Sequence, residues 1–274
     1  LQLILGDGES IDNEVLKNIH IKGVLFTGSS ETANKIQHNL NQRKEIISLT
    51  AETGGQNFMI VDSSALTEQV VDDAIESAFN SAGQRCSALR VLAIQDEVYN
   101  KTINMLIGAT KKLKIGLPYL LDTDIGPLID IEAKNRILKH LDKFKEKILF
   151  NSELDKNLDG FFVQPAIIEI NDLKEIDEEV FGPILHIVRF SSDKLDNLVD
   201  EINNLNYGLT LGIHSRIDST ISFISNNVNV GNIYINRNIT GAVVGSQPFG
   251  GRGLSGTGPK AGGPNYLLNL LNEK

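Results

Sequence analysis

The sequence predicts an α/β fold with a largely parallel sheet, on two observations. Short apolar runs of strand character recur along the chain, among them Val24-Leu25-Phe26, Phe58-Met59-Ile60-Val61, Val91-Leu92-Ala93-Ile94 and Ile184 to Phe190. Segments with apolar residues at helical spacing separate them, and strands alternating with helices are the mark of a parallel sheet. The 274 residues, 41% hydrophobic and 22% charged, have globular composition and enough length for a large core. A net charge of −9 argues against nucleic acid as a partner. No apolar run approaches the ~20 residues needed to span a bilayer. Leu1 to Asp7 has neither an initial Met nor a cationic leader pattern, which suggests a cut piece of something longer. A lone Cys without a disulfide framework fits a reducing cytoplasm.

Taken in order, residues 14–19 place Val15, Leu16 and Ile19 at helical spacing. Val24 to Phe26 is a strand that runs into Thr27-Gly28-Ser29-Ser30-Glu31-Thr32. A helix follows, with Ala33, Ile36 and Leu40 on one face and Ser29 or Ser30 as N-cap. Strand, Gly-Ser turn and helix together aim backbone N–H groups at an anion, although a plain capped helix start has the same pattern. Ile46 to Ala51 is a strand ending at Glu52-Thr53-Gly54-Gly55, and Phe58 to Val61 is the next. Thr67 to Ser81 is helical, since Val70, Val71, Ala74, Ile75, Ala78 and Phe79 share one face. Gly83 ends it in the left-handed conformation. Val91 to Ile94 is a strand, Glu97 to Lys112 a helix, and Gly116 to Pro127 a loop rich in Asp and Pro. Glu132 to Lys147 is a solvated helix whose mixed-charge face has no assigned function. Phe161 to Ile170 contains a strand in which Pro165 marks an edge position or a bend. Strand, helix, strand, helix and strand then occupy Ile184 to Phe190, Leu195 to Leu205, Leu209 to His214, Asp218 to Asn227 and Gly231 to Asn236. The rest is dense in glycine, but Val243, Val244, Phe249, Leu254 and Tyr266 argue for ordered loops around a site rather than a linker.

Cys86 lies just past a helix end, in Gly83-Gln84-Arg85-Cys86-Ser87-Ala88, outside the regular core pattern. As the only cysteine it forms neither an internal disulfide nor a Cys-based metal site. It is either a reactive thiol or a small buried hydrophobe. Arg85 beside it either lowers the thiol pKa or, the favoured reading, serves as a structural salt-bridge partner. The five His are scattered without ligand spacing, and no metal is expected.

Three features now stand in order: Glu52 before a Gly-Gly turn, Cys86 on a helix-to-strand turn, and Glu179-Val180-Phe181-Gly182-Pro183. Together they resemble the aldehyde dehydrogenase superfamily, from about Gly23 to Leu271. Ala51-Glu52-Thr53-Gly54-Gly55, the Cys86 segment, Tyr234-Ile235-Asn236-Arg237-Asn238, Gly241-Ala242-Val243-Val244-Gly245 and Gln247-Pro248-Phe249-Gly250-Gly251 narrow the likeness. They resemble glutamate-semialdehyde (1-pyrroline-5-carboxylate) dehydrogenases, above all the dehydrogenase module of bifunctional proline utilisation proteins. The resemblance implies an incomplete Rossmann-type NAD-binding part at 1–51, an α/β catalytic domain at 52–245 and a glycine-rich tail at 246–274. It implies that Cys86 attacks the aldehyde, that hydride leaves to NAD, and that water activated by Glu52 hydrolyses the thioester. Gly28, Ser29, Ser30, Glu31 and Thr32 match the segment facing the NAD pyrophosphate. Glu179 matches the carboxylate on the nicotinamide ribose and Phe181 the aromatic beside it. Ser87, Gly241 and Ala242 match the anchor for the α-carboxylate and amino group of glutamate semialdehyde, where small residues let backbone N–H groups form a nest. Phe249 matches the residue packed on the substrate's aliphatic chain.

The likeness covers only half of such an enzyme. The early βαβ units, a ribose-binding lysine and the oxyanion-hole asparagine of the family have no counterpart here, which leaves the Cys86 N–H as oxyanion donor. Losing one such donor typically costs roughly 2.7–4 kcal/mol, about 10²–10³ in rate. The expectation is therefore a chain with little activity by itself, needing a missing N-terminal half and homo-oligomeric when complete. A non-catalytic remnant, or one half of a split enzyme, is the alternative.

Overall fold

The computed structural model describes residues 2–155, 157–176, 178–243 and 245–271. Its centre is a seven-stranded sheet in the order β10-β9-β3-β4-β7-β6-β5. The strands are β3 (Asn57–Val61), β4 (Leu89–Gln95), β5 (Ile148–Asn151), β6 (Ala166–Ile170), β7 (Ile184–Phe190), β9 (Thr210–His214) and β10 (Asn232–Ile235). Every neighbouring pair is parallel except β5 with β6. Strands β3, β4 and β9 are buried along their whole length. Sheets covered on both faces need such near-continuous apolar runs, which is why the runs were visible in the sequence.

The helices supply that cover. In α3 (Thr67–Phe79) Val70, Val71, Ala74, Ala78 and Phe79 are buried, and in α4 (Asp96–Thr110) Tyr99, Ile103 and Leu106. Helix α5 (Ile131–Lys143) buries Ala133, Ile137 and Leu141. Helices α6 (Leu195–Asn204) and α7 (Asp218–Asn227) fall where their spacing placed them.

A smaller unit precedes this sheet. A short helical turn, α1 (Gly8–Ile11), continues as a π-helical turn at Asp12–Leu16, so residues 14–19 are helical only in part and Ile19 is exposed. Strands β1 (Gly23–Thr27) and β2 (Ser48–Glu52) then pair in parallel through α2 (Ser30–Asn41). Near the C-terminus, β11 (Arg252–Gly253) pairs antiparallel with β8 (Tyr207–Gly208), and α8 (Pro264–Leu268) follows. These pairs pull the glycine-rich segment back onto the body.

Two expectations change. The helix predicted to Lys147 stops at Lys143; a 3-10 turn at Lys145–Lys147 leads into β5. That strand has only four residues at the sheet edge, alternately half-buried and exposed, so it leaves little apolar signal. Pro165 precedes β6, an interior strand between β5 and β7, so the edge reading fails. Proline is tolerated there because it lies outside the ladder.

Candidate active site

Cys86 sits on the turn joining α3 to β4. Three successive left-handed residues, Ser81 (φ 55°), Ala82 (φ 53°) and Gly83 (φ 67°), turn the chain there. A Cβ on Gly83 would overlap the Gly182 carbonyl, so this close approach requires glycine. Asn57 braces the turn: its Nδ2 donates to Cys86 O (2.7 Å) and Ala88 O (2.8 Å), and its Oδ1 accepts from Thr210 N (3.1 Å). Cys86 itself is half-buried and is not part of the core. Burial pushes its thiol pKa up, and the nearby Glu179 carboxylate pushes the same way. The Ser87 and Cys86 N–H groups and Arg90 pull it back, with a net rise. These surroundings favour the protonated thiol over the thiolate.

The cation beside this sulfur is Arg90, not Arg85. Arg85 is exposed and donates from Nε to Ser81 Oγ (3.0 Å); among the described residues it pairs with no carboxylate. Neither sequence reading of Arg85 therefore holds. Arg90 is wholly buried and forms an ion pair with Glu179 Oε1 (3.0 Å).

Glu52 ends β2. Its Oε2 accepts from Gly251 N (3.0 Å), while its buried Oε1 has no hydrogen-bond partner among the described residues. A Cβ on Gly250 would stand 2.5 Å from Oε1, so glycine is needed where the backbone closes over the carboxyl. Burial raises the Glu52 pKa to about 7, against the Gly251 N–H and the Lys260 charge. A carboxyl poised near neutrality can take up and return a proton.

The β1–α2 turn abuts Glu52: Thr27 pairs with it, and Gly28 N donates to its carbonyl (3.2 Å). Ser29 caps α2, accepting from Thr32 N (3.1 Å). Ser30 Oγ and Thr53 Oγ1 both donate to Leu254 O (3.0 and 2.5 Å), which joins the helix tip to the C-terminal loop. Glu31 turns back to Lys35 (2.6 Å). Glu179 and Phe181 lie on the loop before β7. A Cβ on Gly54 would land on Glu179 Oε2, so this carboxylate lies against the segment that follows Glu52. Phe181 is 41% exposed rather than core-packed, with the Arg90 guanidinium 5.2 Å from its ring centroid.

On the other side of Cys86, Ser87 Oγ accepts from Gly241 N (3.1 Å), and Tyr234 OH donates to Gly241 O (3.4 Å). Gly241 is left-handed (φ 72°), and Ala242 after it is half-buried. The Gly241 N–H is thus engaged within the protein, while the Ser87 hydroxyl still has its own proton to donate. Phe249, half-buried, is fixed by paired backbone bonds with Ala261 (2.9 and 2.8 Å), immediately ahead of the glycines over Glu52. Val244 lies outside the described residues.

Asn57 and Arg90 were missed in the sequence. The available signal was a polar residue heading one apolar run and a charged residue inside another, Leu89-Arg90-Val91-Leu92-Ala93-Ile94.

The profile of the aldehyde dehydrogenase family matches residues 1–274. The chain belongs to the aldehyde dehydrogenase family. This aldehyde dehydrogenase chain is 52% identical over 286 residues to the bifunctional protein PutA of Escherichia coli K12, covering 100% of this chain and 22% of that protein. It is 35% identical over 285 residues to the 1-pyrroline-5-carboxylate dehydrogenase of Bacillus subtilis 168, covering 100% of this chain and 54% of that one. The solved structure of a Thermus 1-pyrroline-5-carboxylate dehydrogenase with bound NAD superposes with a TM-score of 0.90 at 30% identity, over 97% of this chain and 52% of that one. The chain spans about half the length of these dehydrogenases and about a fifth of PutA. Among the described residues no helix is long and apolar enough to cross a membrane.

Proposed function

We propose that this chain carries the thiol-bearing half of an NAD-dependent dehydrogenase that oxidises L-glutamate γ-semialdehyde, formed from 1-pyrroline-5-carboxylate, to L-glutamate. The observation that carries the reading is the Ser87–Gly241 hydrogen bond (3.1 Å), which sets the anchor loop directly against the residue after the nucleophile. Relatives named for 1-pyrroline-5-carboxylate support the same substrate.

The residues fit a dinucleotide. Ser30 and Glu31 lie in the first turn of α2, where N–H groups have no helical partner and the helix dipole favours a phosphate. Glu179, with 18% of its side chain exposed, and the open ring of Phe181 suit a ribose. A bound dinucleotide supplies the hydride acceptor. The protein's residues do the rest. Cys86 gives up its proton to a solvent water and its sulfur bonds to the aldehyde carbon, whose C=O pair moves to oxygen, while the Cys86 N–H steadies the oxygen anion. Collapse of this thiohemiacetal expels hydride and leaves a thioester on Cys86. Glu52 takes a proton from water, the resulting hydroxide adds to the thioester, and the carbon–sulfur bond breaks to give the acid and the free sulfur. The Ser87 hydroxyl proton and the Ala242 backbone hold the α-carboxylate, and Phe249 covers the methylenes.

The test is NADH formation from 1-pyrroline-5-carboxylate, in a protein carrying this chain at the full length of its dehydrogenase relatives. The expected result is turnover that Cys86→Ser abolishes, with a preference of about 10²-fold or more over an aldehyde lacking the α-carboxylate, because such an analogue leaves buried donors unpaired. Equal rates with both aldehydes would remove the substrate assignment. Near-normal turnover by the 274 residues alone would remove the reading of this chain as a half-enzyme.

A further inference from the structure

Arg90 heads the wholly buried side chains in size, and it stands in a strand whose other buried residues are almost all apolar. A guanidinium removed from water is a poor stabiliser even when paired, because the desolvation penalty rivals the attraction. Its contacts suggest another purpose. Nη1 donates to Gly83 O (2.7 Å) and Gly182 O (3.5 Å), and Nη2 donates to Arg85 O (3.1 Å) and Glu179 Oε1 (3.0 Å). The guanidinium also lies 5.2 Å from the Phe181 ring centroid. Gly83 and Arg85 belong to the turn that presents Cys86, whereas Glu179, Phe181 and Gly182 belong to the loop before β7. Each Nη group bonds one carbonyl of the turn and one acceptor of the loop. Nε has no partner among the described residues, so the two Nη groups alone set the position of the fork.

We propose that Arg90 is a positioning residue that clamps the Cys86 turn to the Glu179 loop, holding the sulfur and the loop carboxylate in one fixed relation. The catalytic meaning of that relation rests on the dehydrogenase reading above; the clamp itself rests on the contacts alone. A lysine would keep the charge but not the planar fork that reaches both segments. The charged groups acting on Cys86 are Glu179 and Arg90, and Tyr207 lies within the field of Glu179 and Glu178.

The experiment follows iodoacetamide alkylation of Cys86 against pH in this chain, with circular dichroism as a fold control. Glu179→Gln removes an anion facing the sulfur, so the alkylation midpoint moves down. Arg90→Met moves it up and slows alkylation at about pH 8 by about tenfold, since a one-unit rise in thiol pKa cuts the thiolate fraction tenfold. The deciding comparison is Glu179→Gln in the Arg90→Met background. With the clamp gone the loop no longer holds its carboxylate at the sulfur, and the downward shift shrinks to less than half. Equal shifts in both backgrounds, with folded variants, would overturn the proposal and leave Arg90 as filling. If Arg90→Met does not fold, Arg90→Lys takes its place: the same halving supports the clamp, and an unchanged shift overturns it. Aldehyde oxidation is not read, so this result stands or falls separately from the substrate assignment.

Discussion

Cys86 and Glu52 reach the candidate site from parts of the chain that are anchored in different ways. Cys86 hangs between α3 and β4, a strand buried at every position, and is braced by side chains from that sheet: Asn57 beneath it, Arg90 beside it. Glu52 closes β2, whose partner β1 alternates between exposed and half-buried positions. Its carboxyl is held by backbone and glycine rather than by buried side chains. The thiol is therefore fixed by the core, whereas the carboxyl and the neighbouring β1–α2 turn ride on a thin two-stranded unit steadied by the C-terminal loop. The proposed chemistry asks more of the thiol, whose sulfur would have to meet one carbon atom, than of the acid, which would only relay a proton.

Substitutions separate the two sides. The largest loss of stability belongs to the core side: Leu92→Ala in β4, at a wholly buried position, costs about 2–5 kcal/mol, read from the denaturant midpoint. Glu52→Gln exposes the acid's own contribution through pH. The folded carboxyl titrates near 7 and the unfolded one near its ordinary 4.5. Between those values the folded chain keeps a proton that the unfolded chain has released, so stability falls as pH rises through this window. Buried His186 and His214, held down to about 3 and about 4, give the opposite slope in both proteins, so Glu52 is read by difference: the stability of wild type relative to Glu52→Gln falls between about pH 5 and about pH 8. Ser29→Ala takes the cap from α2 and costs about 1 kcal/mol, with hydrogen exchange loosened in that helix before the large sheet. The smallest effect is Leu25→Ala on β1, where the side chain is 47% exposed; the change stays within about 0.5 kcal/mol. A loss at Leu25 matching that at Leu92 would erase the distinction between the two sides.

The sequence was legible wherever a residue's role follows from its local pattern. Strand β7 and helix α7 match their predicted bounds, because an apolar run or helical period is written within each segment. The Ser29 cap was legible for the same reason; the end of α3 was not, since the helix stops at Phe79 and the left-handed residues begin at Ser81, two before the Gly83 expected to end it. Strand β5 was not, since an edge strand of four residues needs no continuous apolar face. Within the candidate site, Cys86 and Glu52 were singled out through motifs, but the groups that act on them come from far along the chain: Gly251 and Lys260 for Glu52, Glu179 for Cys86 and Arg90. Sequence order carries no record of such pairings. Arg85 drew notice because it adjoins Cys86, while the buried Arg90 acts on the same sulfur.

The strap over Glu52 has a consequence for biosynthesis. A ribosome delivers residue 52 long before residues 250 and 251, and until those two glycines are laid across it the carboxyl remains an ordinary solvated acid. The buried carboxyl is thus completed only once a segment 199 residues further along has been made, and a product released before that strap would carry the Cys86 turn without the enclosed Glu52 carboxyl.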